Sequence, residues 1–66
     1  MQIRVNGESK TVPEGCTLEA LIGLLGLAGS ACAAEVNKSL VPKRTRAEHR
    51  LAEGDSVELV TLVGGG

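Results

Sequence analysis

A single helical stripe of apolar residues sits in the first half of this chain, with segments that alternate apolar and polar residues on both sides of it. Leu18, Leu21, Ile22 and Leu25 fall at i, i+3, i+4 and i+7, the spacing that lines one side of an α-helix. Thr17 can cap that helix, Glu19 places negative charge in its first turn, and Gly26 supplies a stop. A helix of about two and a half turns is too short to persist alone in water. It must gain its stability by packing, and the flanking segments offer a sheet to pack on.

Ile3 and Val5 alternate with Gln2, Arg4 and Asn6, the period of a half-buried strand. Asn6-Gly7 is a strong hairpin signal because both residues tolerate positive φ. The second arm runs over residues 8–12, where Val12 can face Ile3, and Pro13-Glu14-Gly15 ends it because proline cannot donate to a ladder. After the helix, residues 31–37 alternate again, with Cys32, Ala34 and Val36 forming an inner side of small residues that lets a helix sit close. Asn37-Lys38-Ser39 reads as a turn, Leu40-Val41 as a short edge segment and Pro42 as its end. Residues 43–50 carry no clear period. Residues 56–63 form the plainest strand, with Val57, Leu59, Thr61 and Val63 on one side and Glu58, Val60 and Leu62 on the other. Both sides turn apolar toward the end, as in an interior strand or in an exposed patch of Val60 and Leu62 that faces a partner. The order predicts an α+β fold: one mixed sheet of four to five strands with one main helix across one face. The first and last strands then pair in parallel if the helix provides the crossover, which is right-handed as a rule.

Sixty-six residues make one domain, and a domain of this size buries only about 60% of the surface its unfolded chain exposes. The reading places that domain at residues 1–63 and a glycine tail at residues 64–66. A deep pocket of its own, usually about 300 Å³ or more, is not expected of so small a core. The chain contains no Phe, Tyr or Trp, so Leu, Val, Ile and Ala must build the core and no aromatic platform exists for bases to stack on. Its net charge of −1 also argues against nucleic acid. Cys16, Cys32 and His49 are too few for a four-coordinate zinc site, and the cysteines read as small buried hydrophobes and His49 as a solvated residue. No catalytic constellation, metal site or bound cofactor is expected. The opening Met-Gln-Ile-Arg-Val-Asn lacks the order of a secretory leader, and the apolar stretch at residues 20–34 is broken by Gly23, Gly26, Gly29 and Ser30. A cytoplasmic protein without membrane contact is the expectation. Lys43, Arg44 and Arg46 form a local basic cluster, either a solvated loop or a docking patch for an acidic partner surface.

The ending Val63-Gly64-Gly65-Gly66 adds nothing to a core. Structurally it is a frayed end, because glycine carries the greatest backbone entropy. Functionally it is a delivery arm: without Cβ atoms, an extended glycine backbone threads a channel too narrow for any side chain and brings its carboxylate into another protein's active site. Ordering it there costs about 1 to 2 kcal/mol per residue, which contacts with the channel must offset. An α-carboxyl group is ionised at neutral pH, since its ordinary pKa is about 3.3 to 3.7, and it resists nucleophilic attack. ATP can activate it as an acyl-adenylate, from which a sulfur nucleophile displaces AMP to leave a thiocarboxylate.

The chain resembles the ThiS family of sulfur carriers from end to end. The resemblance lies in the opening Met-Gln-Ile-Arg-Val-Asn-Gly-Glu, in Glu14-Gly15-Cys16-Thr17-Leu18 and in Glu35-Val36-Asn37 followed by Val41-Pro42. It continues in Leu51-x-x-Gly54-Asp55-x-Val57-Glu58-Leu59-Val60 and in the closing glycines. After Val41-Pro42 the chain departs from the family's usual arginine and later aromatic: Lys43 takes the first place and no aromatic follows. The resemblance implies a β-grasp, ubiquitin-like fold and a protein co-substrate rather than an enzyme. It also implies that a ThiF-like adenylyltransferase uses ATP to adenylate Gly66, that a desulfurase supplies cysteine-derived sulfur, and that a ThiG-like thiazole synthase accepts it for thiamine. Gly66 is then the modified residue, Gly64 and Gly65 the threaded tail, and Val60, Leu62, Lys43, Arg44 and Arg46 the candidate docking surface. The alternatives are a related carrier serving molybdopterin or another sulfur-containing product, a ubiquitin-like modifier joined to other proteins, and a β-grasp binding module with an idle tail.

Overall fold

A computed structural model describes residues 1–28 and 31–61. Strand β1 (Gln2–Val5) turns into β2 (Glu8–Thr11), and helix α1 (Leu18–Leu24) follows. Then come β3 (Cys32–Val36), β4 (Ser39–Leu40), a 3-10 helix (Lys43–Glu48) and β5 (Ser56–Thr61). The five strands form one mixed sheet in the order β2-β1-β5-β3-β4. β1 and β5 are parallel, with Arg4 opposite Ser56 and Val5 opposite Val57, and the other pairings are antiparallel. The layout is the α+β one the periodicity predicts, and it is the β-grasp fold that the family resemblance implies.

Local chemistry accounts for the turns. Asn6 and Gly7 take φ of 51° and 85°, the left-handed pair that a two-residue hairpin needs. That turn sets Val5 opposite Glu8, and counting back along both strands puts Ile3 opposite Lys10. Val12 therefore does not face Ile3, as its sequence position allowed. It lies past the end of β2, where it accepts from the Met1 amino group at 2.7 Å and donates its own N–H to the Met1 carbonyl at 2.9 Å. Asn37 and Lys38, with φ of 51° and 71°, make a second two-residue turn. Ser39 consequently belongs to β4, opposite Val36, and not to the turn.

The helix ends are satisfied by the residues the sequence singles out. The Thr17 hydroxyl accepts from the Ala20 N–H at 3.1 Å. At the other end Gly26 donates to the Gly23 carbonyl and Leu27 to the Ile22 carbonyl, both at 3.0 Å, the paired bonds of a Schellman stop. Leu18, Leu21 and Ile22 are buried against one side of the sheet with Ile3, Val5, Ala34, Val36, Val57 and Leu59. Ala34 is fully buried, 0% exposed, where the helix covers the sheet. Among the described residues the helix and the core lie on one face of the sheet, and none covers the other face.

The aperiodic stretch at residues 43–50 is not a loop without structure. Its 3-10 helix packs against α1, and the chain after it pairs with the helix entry: Leu18 N–H donates to the His49 carbonyl and Leu51 N–H to the Cys16 carbonyl, each at 2.9 Å. His49 is half-buried as a result, not fully solvated. Cys16 is buried and Cys32 half-buried, and both are free thiols. Among the described residues no helix is long and apolar enough to cross a membrane. Replacing Thr17 with Ala removes the acceptor at the helix start and is expected to destabilise the domain by about 1 kcal/mol, measured as a lower urea midpoint at unchanged slope.

Candidate functional site

Parallel pairing of β1 with β5 sends both strands toward the same end of the sheet, so the β1–β2 turn lies beside the middle of β5, at Val57 and Leu59. Thr61, the last described residue of β5, stands opposite Cys32 at the start of β3. Gly64, Gly65 and Gly66, with Leu62 and Val63, lie outside the described residues. The structure therefore defines the root of the tail.

Asn6 holds that root. β1 stops at Val5, yet the Asn6 backbone N–H donates to the Val57 carbonyl at 2.9 Å. Its side-chain carboxamide then brackets the next inward-facing residue of β5: Oδ1 accepts from the Leu59 N–H at 2.9 Å and Nδ2 donates to the Leu59 carbonyl at 3.3 Å. One side chain thus replaces a missing stretch of strand and satisfies both backbone groups of Leu59 on that edge. The sequence marks Asn6 as a turn residue, but its second task depends on β5 lying alongside and has no signal in the chain itself.

Between the hairpin and the end of the helix lies an open groove of about 480 Å³, lined by Glu8 and Lys10 on one side, Leu25 and Leu27 on another, and Leu59 and Thr61. It is larger than a core this small leads one to expect. It holds one carboxylate and one ammonium among aliphatic side chains, and no thiol or imidazole. Among the described residues there is no group of three or more potential metal ligands.

The candidate docking residues do not form one surface. Val60 is 58% exposed on the open face of the sheet, although β5 is also the central strand: Val57 and Leu59 fill the inner side while the outer side has no covering layer. The strand is central in the sheet but not buried on both faces, so Val60 belongs to an exposed patch, while Leu62 lies outside the described residues. Lys43 and Arg44 are exposed on the 3-10 helix, which packs with α1 on the covered side of the sheet. Arg46 does not belong with them. It is buried, 8% exposed: its Nη2 donates to the Cys32 carbonyl at 2.7 Å and its Nη1 approaches the Cys32 sulfur at 3.8 Å. A guanidinium turned inward to complete the hydrogen bonding at the start of β3 is not available to a partner. The basic surface is reduced to Lys43 and Arg44.

A family model described as the ThiS family matches residues 3–66. A thiazole synthase from Paramagnetospirillum magneticum is 38% identical over the whole chain, which spans 20% of the length of that protein. The chain thus accounts for about a fifth of that relative. The sulfur carrier protein ThiS of Escherichia coli is 29% identical, with both chains covered in full. Among solved structures, the crystal structure of the thiamine biosynthesis protein ThiS from Geobacter metallireducens superposes with a TM-score of 0.85 at 28% identity, again over the full length of both chains.

Replacing Asn6 with Gly keeps the positive φ of the turn and removes only the bracket. Hydrogen exchange of the Leu59 amide is expected to rise in that variant by about fivefold, since its partly buried N–H loses a bond that contributes about 1 kcal/mol.

Proposed function

This chain belongs to the ThiS family, the small sulfur carriers of thiamine biosynthesis, and from that premise we propose that Gly66 is the residue on which the sulfur travels. As a carrier it is a co-substrate and not a catalyst. A ThiF-like adenylyltransferase converts the Gly66 carboxylate and ATP to an acyl-adenylate and pyrophosphate. A persulfide carried by a cysteine desulfurase then displaces AMP to give an acyl disulfide, and a thiol reductant cleaves its S–S bond, itself ending in a disulfide, to leave the thiocarboxylate. ATP is bound by the partner enzyme and the carrier needs no cofactor of its own. Use of ATP and of cysteine-derived sulfur assigns the cycle to the cytoplasm.

The observation that carries this reading is how the central strand is held up to the sequence that leads into the glycines. β5 is fixed on one edge by β3 and on the other by β1 and the Asn6 bracket, and the sequence beyond Thr61 soon becomes Gly64-Gly65-Gly66. A strand held on both edges followed by residues without side chains suits delivery of a carboxylate through a channel too narrow for side chains. Gly64 and Gly65 act as the threaded segment. Val60, next to the root on the open face, and Leu62 make the apolar part of the docking surface, with Lys43 and Arg44 as a separate basic contact.

The acceptor of the sulfur is a ThiG-like thiazole synthase. Support comes from the thiazole synthase relative, in which a segment similar to this whole chain is part of the protein itself. A thiocarboxylate is a soft nucleophile held covalently on a protein, so sulfur passes to the forming thiazole without being released.

The protein isolated from its own cells is expected to show, by intact mass, a fraction in which sulfur has replaced one oxygen, and a variant lacking Gly66 none. Absence of that form, together with no ATP-dependent adenylation by the partner enzyme, would overturn the proposal. Finding Gly66 in amide linkage to other proteins would make this chain a modifier instead.

A further inference from the structure

The middle of the open face holds two carboxylates that no cation neutralises. Ala34 and Val36 of β3 point into the core, as do Val57 and Leu59 of β5, so Ala33 and Glu35, and likewise Glu58 and Val60, face outward. Glu35 stands directly opposite Glu58, and Ala33 opposite Val60. On the far side of Glu35 its β4 partner is Leu40, which is 67% exposed. Like charges directly opposite each other on neighbouring strands destabilise a sheet. The sole ion pair among the described residues joins the Met1 amino group to Glu14, and Arg4, on the same face, stands opposite Ser56 without pairing with either glutamate.

We propose that Glu35 and Glu58 together receive an arginine of the adenylating enzyme, with Leu40, Ala33 and Val60 packing on the aliphatic side chains around it. The inference rests on the reading that such an enzyme docks on this carrier, and it names what the open face selects. Two carboxylates on residues directly opposite each other on adjacent strands suit a guanidinium, whose planar fork can address both, whereas an ammonium acts as a point charge. Apolar neighbours on both sides exclude water from the contact, which strengthens a charged hydrogen bond. The repulsion between the two glutamates in the free carrier becomes attraction when the arginine arrives. The face therefore trades stability of the free protein for discrimination, since a partner without the cation would leave two carboxylates desolvated and unpaired.

The test compares the protein with its Glu35→Gln/Glu58→Gln double variant as substrates of the adenylating enzyme from the same cells. The double variant is expected to raise KM for the carrier about tenfold at unchanged kcat, and to lose the rise of KM with salt that the unaltered protein shows. It is also expected to raise Tm by about 2 to 4 °C, because the cross-strand repulsion is gone. Glu48→Gln, an exposed acid on the 3-10 helix, leaves all three quantities as they were. Turnover of the unaltered protein with an unchanged KM for the double variant would overturn this inference and leave the carrier reading standing. A lowered Tm would overturn it as well, by showing that the glutamates stabilise the free fold. No adenylation of the unaltered protein would remove both.

Discussion

Everything distinctive in this molecule depends on the parallel pairing of its first and last strands. Two parallel strands cannot be joined by a tight turn, so the intervening chain must cross the sheet, and helix α1 lies in that crossover. Once it does, the apolar stripe of Leu18, Leu21 and Ile22 has the inner face of the sheet to cover. The pairing also makes the turn at Asn6 a neighbour of the middle of β5, although the two are far apart in sequence. The bracket from Asn6 to Leu59 is thus a consequence of the topology, formed where β1 runs out and β5 continues.

The same economy governs the core. With no aromatic side chain, a single helix of two turns can sit on the sheet only if the residues beneath it are small, and Ala34 meets that condition. Among the described residues no second layer lies on the opposite face. That face is left to solvent in the free protein, and it carries Val60 and Leu40 beside the two glutamates of the central strands. In the function proposed above this face is where a larger enzyme holds the carrier, and the residues that follow β5 supply the reacting group.

The sequence by itself determined most of the elements, but not the 3-10 helix at Lys43–Glu48 or the start of β4 at Ser39. Helix, hairpin, small-residue strand and final strand all follow from local rules: the 3.6 and 2.0 periods, Thr17 and Gly26 as stops, and Asn6-Gly7 as a turn. These depend on neighbours in the chain. The same holds for the glycine tail, whose meaning lies in the absence of side chains, and for the family resemblance. The uncertainty of β5 between interior strand and exposed patch could not be resolved locally, because period 2 fixes which residues share a side and not whether that side is covered.

Only the tertiary structure decided what the polar residues do. Arg46, Lys43 and Arg44 are alike in sequence, yet Arg46 turns inward to the Cys32 carbonyl because β3 begins beside the 3-10 helix and leaves an acceptor there to be met. Val12 settled opposite Met1 because the turn fixed the register. Glu35 and Glu58 became a pair only when β3 and β5 lay side by side. Apolar residues declare their direction through period, since the hydrophobic effect acts on each of them alone. A hydrogen bond or a charge contact is defined by its partner, and in this fold the partners come from distant parts of the chain.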